Sequence, residues 1–306
     1  MQLKNNYYWF KSALTPKQCT KILEAGMTEL TKKTSAYGES AIQAQTADGK
    51  EKGGVDNKGN KTGEFAQANM TKEKLVKKGI KESDGYVRDS SIAWLNERWI
   101  YDLLHPYIHE ANAAAGWSYE WNFSEACQFT KYSPGQFYGW HADGSSDWPS
   151  IYKPTLKDKN GKWKVCDFVM NEKKTDFAYE KDPNDPSGTL TPKVEMTDVD
   201  CPVRKQLNFM GEEQPINGFT DNKYYWGKVR KLSMTLNLTE PTDYTGGDLK
   251  FDFGPHAGRG RFKTCKEIRP RGSIIIFPSY LHHQVTPVTK GTRYSLVIWS
   301  LGKPFR

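Results

Sequence analysis

The chain has 306 residues, of which 37% are hydrophobic and 13% aromatic, with a net charge of +8 and a mean hydropathy of −0.76. No run of about 18 apolar residues occurs, which excludes a membrane-spanning helix, and the 10 Trp, 16 Tyr and 14 Phe exclude a wholly disordered chain. Nine lysines against four acidic residues between Lys50 and Lys81 supply +5 of the +8, so the nucleic-acid reading that the total invites rests largely on one segment. Met1 to Phe10 lacks the basic flank and apolar stretch of a secretory signal. Five scattered cysteines, none in a CxxC pair, point to a reducing, cytoplasmic setting and away from a cysteine-based zinc site.

Thr15, Pro16 and Gln18 form a helix start: a hydroxyl cap, proline at the first helical position, and an amide that reaches back to the cap. Cys19, Ile22, Leu23, Gly26 and Leu30 follow at helical spacing, which predicts an amphipathic helix of about four turns. Residues 35–81 then turn polar and rich in Gly, Lys and Asn, as expected of a flexible insertion. A second helix is expected from Asn96 to Ala115, stopped by Gly116 and kinked or divided at Pro106.

Beyond Gly116 the texture changes. Residues 121–132, 229–238, 247–253, 272–277 and 292–300 are short, β-branched or aromatic, and mostly bounded by Gly and Pro, which predicts strands. Two helical segments followed by strands imply an α+β, mainly β chain: helices 1–116 supporting an antiparallel sandwich or jelly-roll core over 117–306. The Lys-, Asp- and Pro-rich stretch 144–228 is too long for an ordinary connection and is expected to be an elaborated insertion in a single domain.

His141 and Asp143 are two residues apart after a strand-like segment, so their side chains leave the same face. His282 and His283 lie downstream, and Arg293 follows ten residues after His283. Two histidines and one carboxylate match the facial triad of non-haem Fe(II) oxygenases, while a permanent guanidinium suits a carboxylate-bearing cosubstrate. Residues Gln128, Thr130 and Tyr132, Ser233, Thr235 and Asn237, and Arg293, Ser295 and Trp299 each share a strand face. These polar faces are expected to line a ligand cavity rather than meet solvent.

The runs CQFTKYSPGQFYGWHAD, RKLSMTLNLTEPTDYTGGDLKFDFG and RGSIIIFPSYLHHQVTPVTKGTRYSLVIWSLG resemble the 2-oxoglutarate and Fe(II)-dependent oxygenases of the prolyl 4-hydroxylase type, and among them the bacterial PKHD-type hydroxylases. The resemblance covers roughly Trp121 to Asp143 and Val229 to Leu301. It implies a double-stranded β-helix with Fe(II) held by His141, Asp143 and His283. His283 is preferred to His282 because it opens the H-x-V-x-P-V pattern. The resemblance further implies Arg293 on the distal carboxylate of 2-oxoglutarate, assisted by Tyr132, with Asn237, Thr235 and Ser295 near the cosubstrate. Tyr138 and Trp299 match aromatic positions near the metal and are candidate substrate contacts.

The implied reaction consumes O2 and releases succinate and CO2 while hydroxylating an unactivated C–H bond, with ascorbate a candidate reductant that keeps the iron ferrous. An intact Asp143 argues against the related halogenases, which lack that carboxylate. The favoured substrate is a prolyl or other side chain of a protein or peptide. Alternatives are nucleic-acid oxidation, a free amino acid or other small molecule, and a non-catalytic metal-binding jelly roll. The i, i+4 pair His105 and His109, lacking a glutamate between, and His256 are expected to be ordinary surface or packing residues.

Overall fold

In the computed structural model of the protein, the first helix begins as its sequence dictates. The Thr15 amide donates to Gln18 Oε1 (2.8 Å) and the Gln18 amide to Thr15 Oγ1 (3.3 Å), closing the capping box. Helix α1 (Pro16–Tyr37) runs about two turns beyond the expected four. Helix α2 (Arg98–Ala114) passes through Pro106 without being divided, and Ile100, Leu104, Ile108 and Ala111 form its buried stripe. The structure describes residues 5–37, 43–47, 50–52, 86–144, 151–171, 177–181, 190–196, 205–207, 213–215 and 219–305. Most of the lysine segment therefore lies outside the described residues.

The strands in chain order are β1 (Tyr8–Phe10), β2 (Gln43–Ala47), β3 (Lys50–Lys52), β4 (Tyr86–Leu95), β5 (Phe123–Ser124), β6 (Cys127–Tyr132) and β7 (Phe137–His141). After them come β8 (Lys153–Lys157), β9 (Trp163–Phe168), β10 (Tyr179–Lys181), β11 (Leu190–Pro192), β12 (Val194–Met196), β13 (Lys205–Leu207), β14 (Glu213–Pro215) and β15 (Phe219–Thr220). The last eight are β16 (Val229–Asn237), β17 (Tyr244–Gly246), β18 (Leu249–Asp252), β19 (Phe262–Thr264), β20 (Ile274–Pro278), β21 (His282–Val285), β22 (Val288–Gly291) and β23 (Arg293–Gly302).

The chain divides into two compact units. The first comprises Met1–Tyr119, Ser124–Asp143 and Lys231–Ser300. Its large sheet runs in the order β1-β20-β16-β23-β6-β4-β7-β21-β18-β19. The sheet curls into a jelly roll: β20 and β21 stand six places apart in that order, yet the rings of Phe277 and His283 meet at 4.7 Å. Leu249 and Phe251 of β18 pack with Ile275 and Phe277 of β20 to seal this closure.

Register assigns the two faces of the sheet opposite chemistry. Ala93, Phe129 and Leu296 align across β4, β6 and β23 on the outer face, and α1 lies against it. Gly26 makes that approach possible, since a Cβ there would sit 2.3 Å from the Phe129 ring. On the inner face Tyr132 aligns with Arg293, Thr130 with Ser295 and Arg88 with Tyr138. The polar residues of that face, Gln128, Thr130, Ser233, Thr235 and Ser295 among them, are buried, as expected of a cavity lining.

Strand β2, inside the stretch read as a polar insertion, pairs antiparallel with β4. Ladder hydrogen bonds need only backbone, so apolar patterning gave no sign of it. The second unit comprises Glu120–Phe123, Gly144–Arg230 and Leu301–Arg306. There β9 pairs with β8 and β12, and Ile151, Phe168, Phe177, Trp226 and Val229 form a small core. Among the described residues no helix is long and apolar enough to cross a membrane.

Candidate metal and cosubstrate site

Adjacent strands β7 and β21 set His141 directly opposite His283, and the chain leaving β7 brings Asp143 between them. The ligand atoms of the three residues lie within 4.8 Å of one another. His141 Nε2 is 3.5 Å from Asp143 Oδ1, and His283 Nε2 is 3.5 Å from Asp143 Oδ2. Each imidazole is oriented from behind: His141 Nδ1 lies 2.8 Å from the Gly139 carbonyl oxygen and His283 Nδ1 2.8 Å from that of Leu281. A carbonyl only accepts, so each Nδ1 carries a proton and donates it, and each ring turns its Nε2 toward the carboxylate.

Three electron-rich donors facing one another repel unless a cation stands among them. Burial, together with neighbouring His141, lowers the His283 pKa to about 4, so the ring is neutral and ready to bind metal at ordinary pH. The donor set therefore fits Fe(II), with an imidazole, a carboxylate and an imidazole on one side of the ion. Phe277 meets the His283 ring edge-on, and Tyr138 stacks on His141 at 3.5 Å and 9°.

Arg293 opens β23 on the same inner face and is 1% exposed. Its Nη1 donates to Ser295 Oγ at 3.3 Å, and its guanidinium carbon lies 5.6 Å from the Tyr132 ring centre. Its Nε is buried with no partner, and among the described residues no carboxylate pairs with it. A buried cation with an open donor fits the carboxylate of a cosubstrate. Gly247, at φ +61, leaves it space, because a Cβ there would press within 3.0 Å of Arg293 Cδ. Burial raises the Tyr132 pKa while Arg88 and Arg293 oppose that rise, so its hydroxyl stays protonated as a donor.

The remaining sequence candidates fall in different places. Thr235 and Ser295 lie buried on the inner-facing strands. Asn237 is engaged elsewhere: its Nδ2 donates to the carbonyls of Thr239 (2.9 Å) and Arg269 (2.7 Å), closing the end of β16. Trp299 packs with Trp94 at 6.2 Å. His282 is exposed while His283 is buried.

Sequence reasoning missed Arg88. It is 2% exposed on β4, with its guanidinium carbon 4.7 Å from the Tyr138 ring centre. The available signal was alternation, since Arg88, Ser90, Ile92 and Trp94 share one face of a strand that a run of Asp and Ser disguises as a loop.

Residues 206–301 match the model of the 2OG-Fe(II) oxygenase superfamily, a stretch that holds His283 and Arg293 and begins after His141 and Asp143. A PKHD-type hydroxylase of Nitrobacter winogradskyi is 41% identical over 69 residues, covering 22% of this chain and 27% of the relative. One from Hyphomonas neptunium is 43% identical over 68 residues with the same coverage. The matched stretch thus spans about a quarter of the length of these curated relatives. Among solved structures, the viral collagen prolyl hydroxylase of Paramecium Bursaria Chlorella virus-1 aligns over 97% of both chains at 12% identity and a TM-score of 0.44. A Trichoplax adhaerens prolyl hydroxylase, solved with a peptide fragment of the hypoxia inducible factor oxygen degradation domain, aligns over 97% of this chain and 83% of its own at 12% identity and a TM-score of 0.45.

Proposed function

Taking the chain as a 2OG-Fe(II) oxygenase-like protein of the prolyl 4-hydroxylase kind, we propose that it hydroxylates an unactivated C–H bond of an amino-acid side chain, with prolyl in a protein or peptide the favoured target. One observation carries the reading: two backbone-oriented histidines and Asp143 converge on the inner face that also buries Arg293 with an open donor. Fe(II) bound there, with 2-oxoglutarate, supplies the oxidising chemistry, consuming O2 and releasing succinate and CO2.

The chain's own residues bind and position. His141, Asp143 and His283 would hold the ion. Arg293 takes the distal carboxylate of 2-oxoglutarate, and Tyr132 donates its hydroxyl to the same group. Ser295 accepts from Arg293 and keeps the guanidinium aimed inward. Tyr138, stacked on His141, stands where a substrate would meet the metal. Burial of the cavity wall excludes water, which strengthens each of these contacts.

The test incubates the Fe(II)-loaded chain, with ascorbate, 2-oxoglutarate and O2, against peptides presenting Pro, Lys or Asn. The expected product is heavier by one oxygen, with succinate formed in step. No oxygenated product and no 2-oxoglutarate consumption, alone or with any peptide, would overturn the reading.

A further inference from the structure

The inner face carries a second buried guanidinium that the reaction above does not use. Arg88 Nε donates to Ser90 Oγ at 2.8 Å and Nη1 to Gln128 Oε1 at 3.3 Å. Among the described residues its buried Nη2 has no hydrogen-bond partner and no carboxylate pairs with it. The guanidinium lies over Tyr138, the ring that stacks on the metal ligand His141. Arg88 therefore stands one aromatic ring away from the metal ligand His141.

Among the described residues no carboxylate pairs with Arg88, and the side chains that accept from its guanidinium, Ser90 and Gln128, carry no charge. An unpaired charge out of water is costly, and neutral Ser90 and Gln128 satisfy hydrogen bonds without cancelling it. A neutral carbonyl from the substrate would fill the Nη2 position and leave the charge unbalanced. A carboxylate does both.

We propose that Arg88 is a specificity-determining residue that binds a carboxylate carried by the substrate, next to the C–H bond that is oxidised. The inference rests on the assignment of Arg293 to 2-oxoglutarate. The carboxylate has two sources, the α-carboxylate of a free or chain-terminal amino acid, or the side chain of an Asp or Glu beside the target residue.

Calorimetric titration of the full chain, loaded with Mn(II) and 2-oxoglutarate so that no turnover occurs, tests this with two probe pairs. N-acetyl-L-proline against N-acetyl-L-prolinamide reads the α-carboxylate; acetyl-Pro-Glu-amide against acetyl-Pro-Gln-amide reads the acidic side chain. In one pair the carboxylate probe binds about 10-fold or more tightly than its neutral partner, as a charge-assisted pair should. Arg88→Gln brings that ratio to within about twofold, and Arg88→Lys, which keeps the charge, retains part of it should the glutamine variant not fold. The affinity for 2-oxoglutarate stays within about twofold in both variants. Equal binding within both pairs, absence of binding by all four probes, or a ratio unchanged by Arg88 substitution overturns the proposal. Failure of the underlying reading has a separate sign, 2-oxoglutarate that does not bind or binds without regard to Arg293.

Discussion

The two faces of the large sheet are both buried but buried for different ends. The outer face is aliphatic and aromatic, with Phe129, Leu236, Leu296 and Ile298 each at 0% exposure, and it holds α1 so closely that Gly26 accepts no side chain. The inner face hides two guanidiniums, a carboxylate and several hydroxyls, including donor atoms of Arg88 and Arg293 that no group among the described residues satisfies. Apolar burial stabilises the fold directly at about 25 cal/mol per Å2. Unsatisfied polar burial lowers stability, so the two guanidiniums left with open donors on the inner face mark where ligands would complete the structure. Substitutions on the outer face should therefore move stability and leave binding intact, and those on the inner face should do the reverse.

The sharpest separation is expected from Asp143→Ala. Losing one ligand of the three should weaken Mn(II) or Fe(II) binding by about 3–4 kcal/mol, several hundred-fold, as read by calorimetry. The metal-free variant should melt no lower than the metal-free parent, because a carboxylate crowded by two lone pairs has been removed. A large fall in its melting temperature would show instead that Asp143 belongs to the stability of the fold.

Acid should separate the faces next. The folded His283 pKa of about 4 lies below the ordinary histidine value of about 6.5. Between those values the unfolded chain binds the proton and the folded chain does not. Stability of the metal-free protein is thus complete above pH 6.5 and declines as pH falls toward 4, by on the order of 3 kcal/mol. Denaturant titration across that range in parent and His283→Gln checks this: the variant should lose most of the slope, and equal slopes would contradict the account.

On the outer face, Gly26→Val should cost about 1–3 kcal/mol through collision with Phe129, with metal affinity unchanged. A variant as stable as the parent would mean that α1 can move off the sheet freely. The smallest effect is expected from Tyr132→Phe, which removes one hydroxyl donor and should weaken 2-oxoglutarate binding by about 1 kcal/mol, less than tenfold.

How much of this was legible in the sequence follows from the same contrast. Strands β16, β20 and β23 announced themselves because each alternates or runs apolar between Gly and Pro punctuation, and the pattern of His141, Asp143, the His282–His283 pair and Arg293 suggested a metal and an anion, with His283 preferred from the family resemblance. Strands β2 and β4 were invisible because backbone pairing, not apolar side chains, places β2, and because the polar run Arg88, Asp89, Ser90 and Ser91 hides the apolar alternation of β4. Asn237 was proposed from resemblance as a cosubstrate neighbour, yet its amide is spent on the Thr239 and Arg269 carbonyls, a partnership that exists only once β16 has met the loop before β20. Pro106 looked like a break, but it sits on the exposed side of α2, where the packed stripe opposite holds the helix together.

The central claim is that one inner face holds the metal through His141, Asp143 and His283 and the cosubstrate through Arg293. The measurement that reaches it most directly is anaerobic calorimetric titration of 2-oxoglutarate into the parent and Arg293→Leu chains, each with and without Fe(II). The account predicts tight binding only in the metal-loaded parent, with at least about a tenfold loss on removing either the metal or the guanidinium. Binding of equal strength without metal, or in the leucine variant, would contradict it.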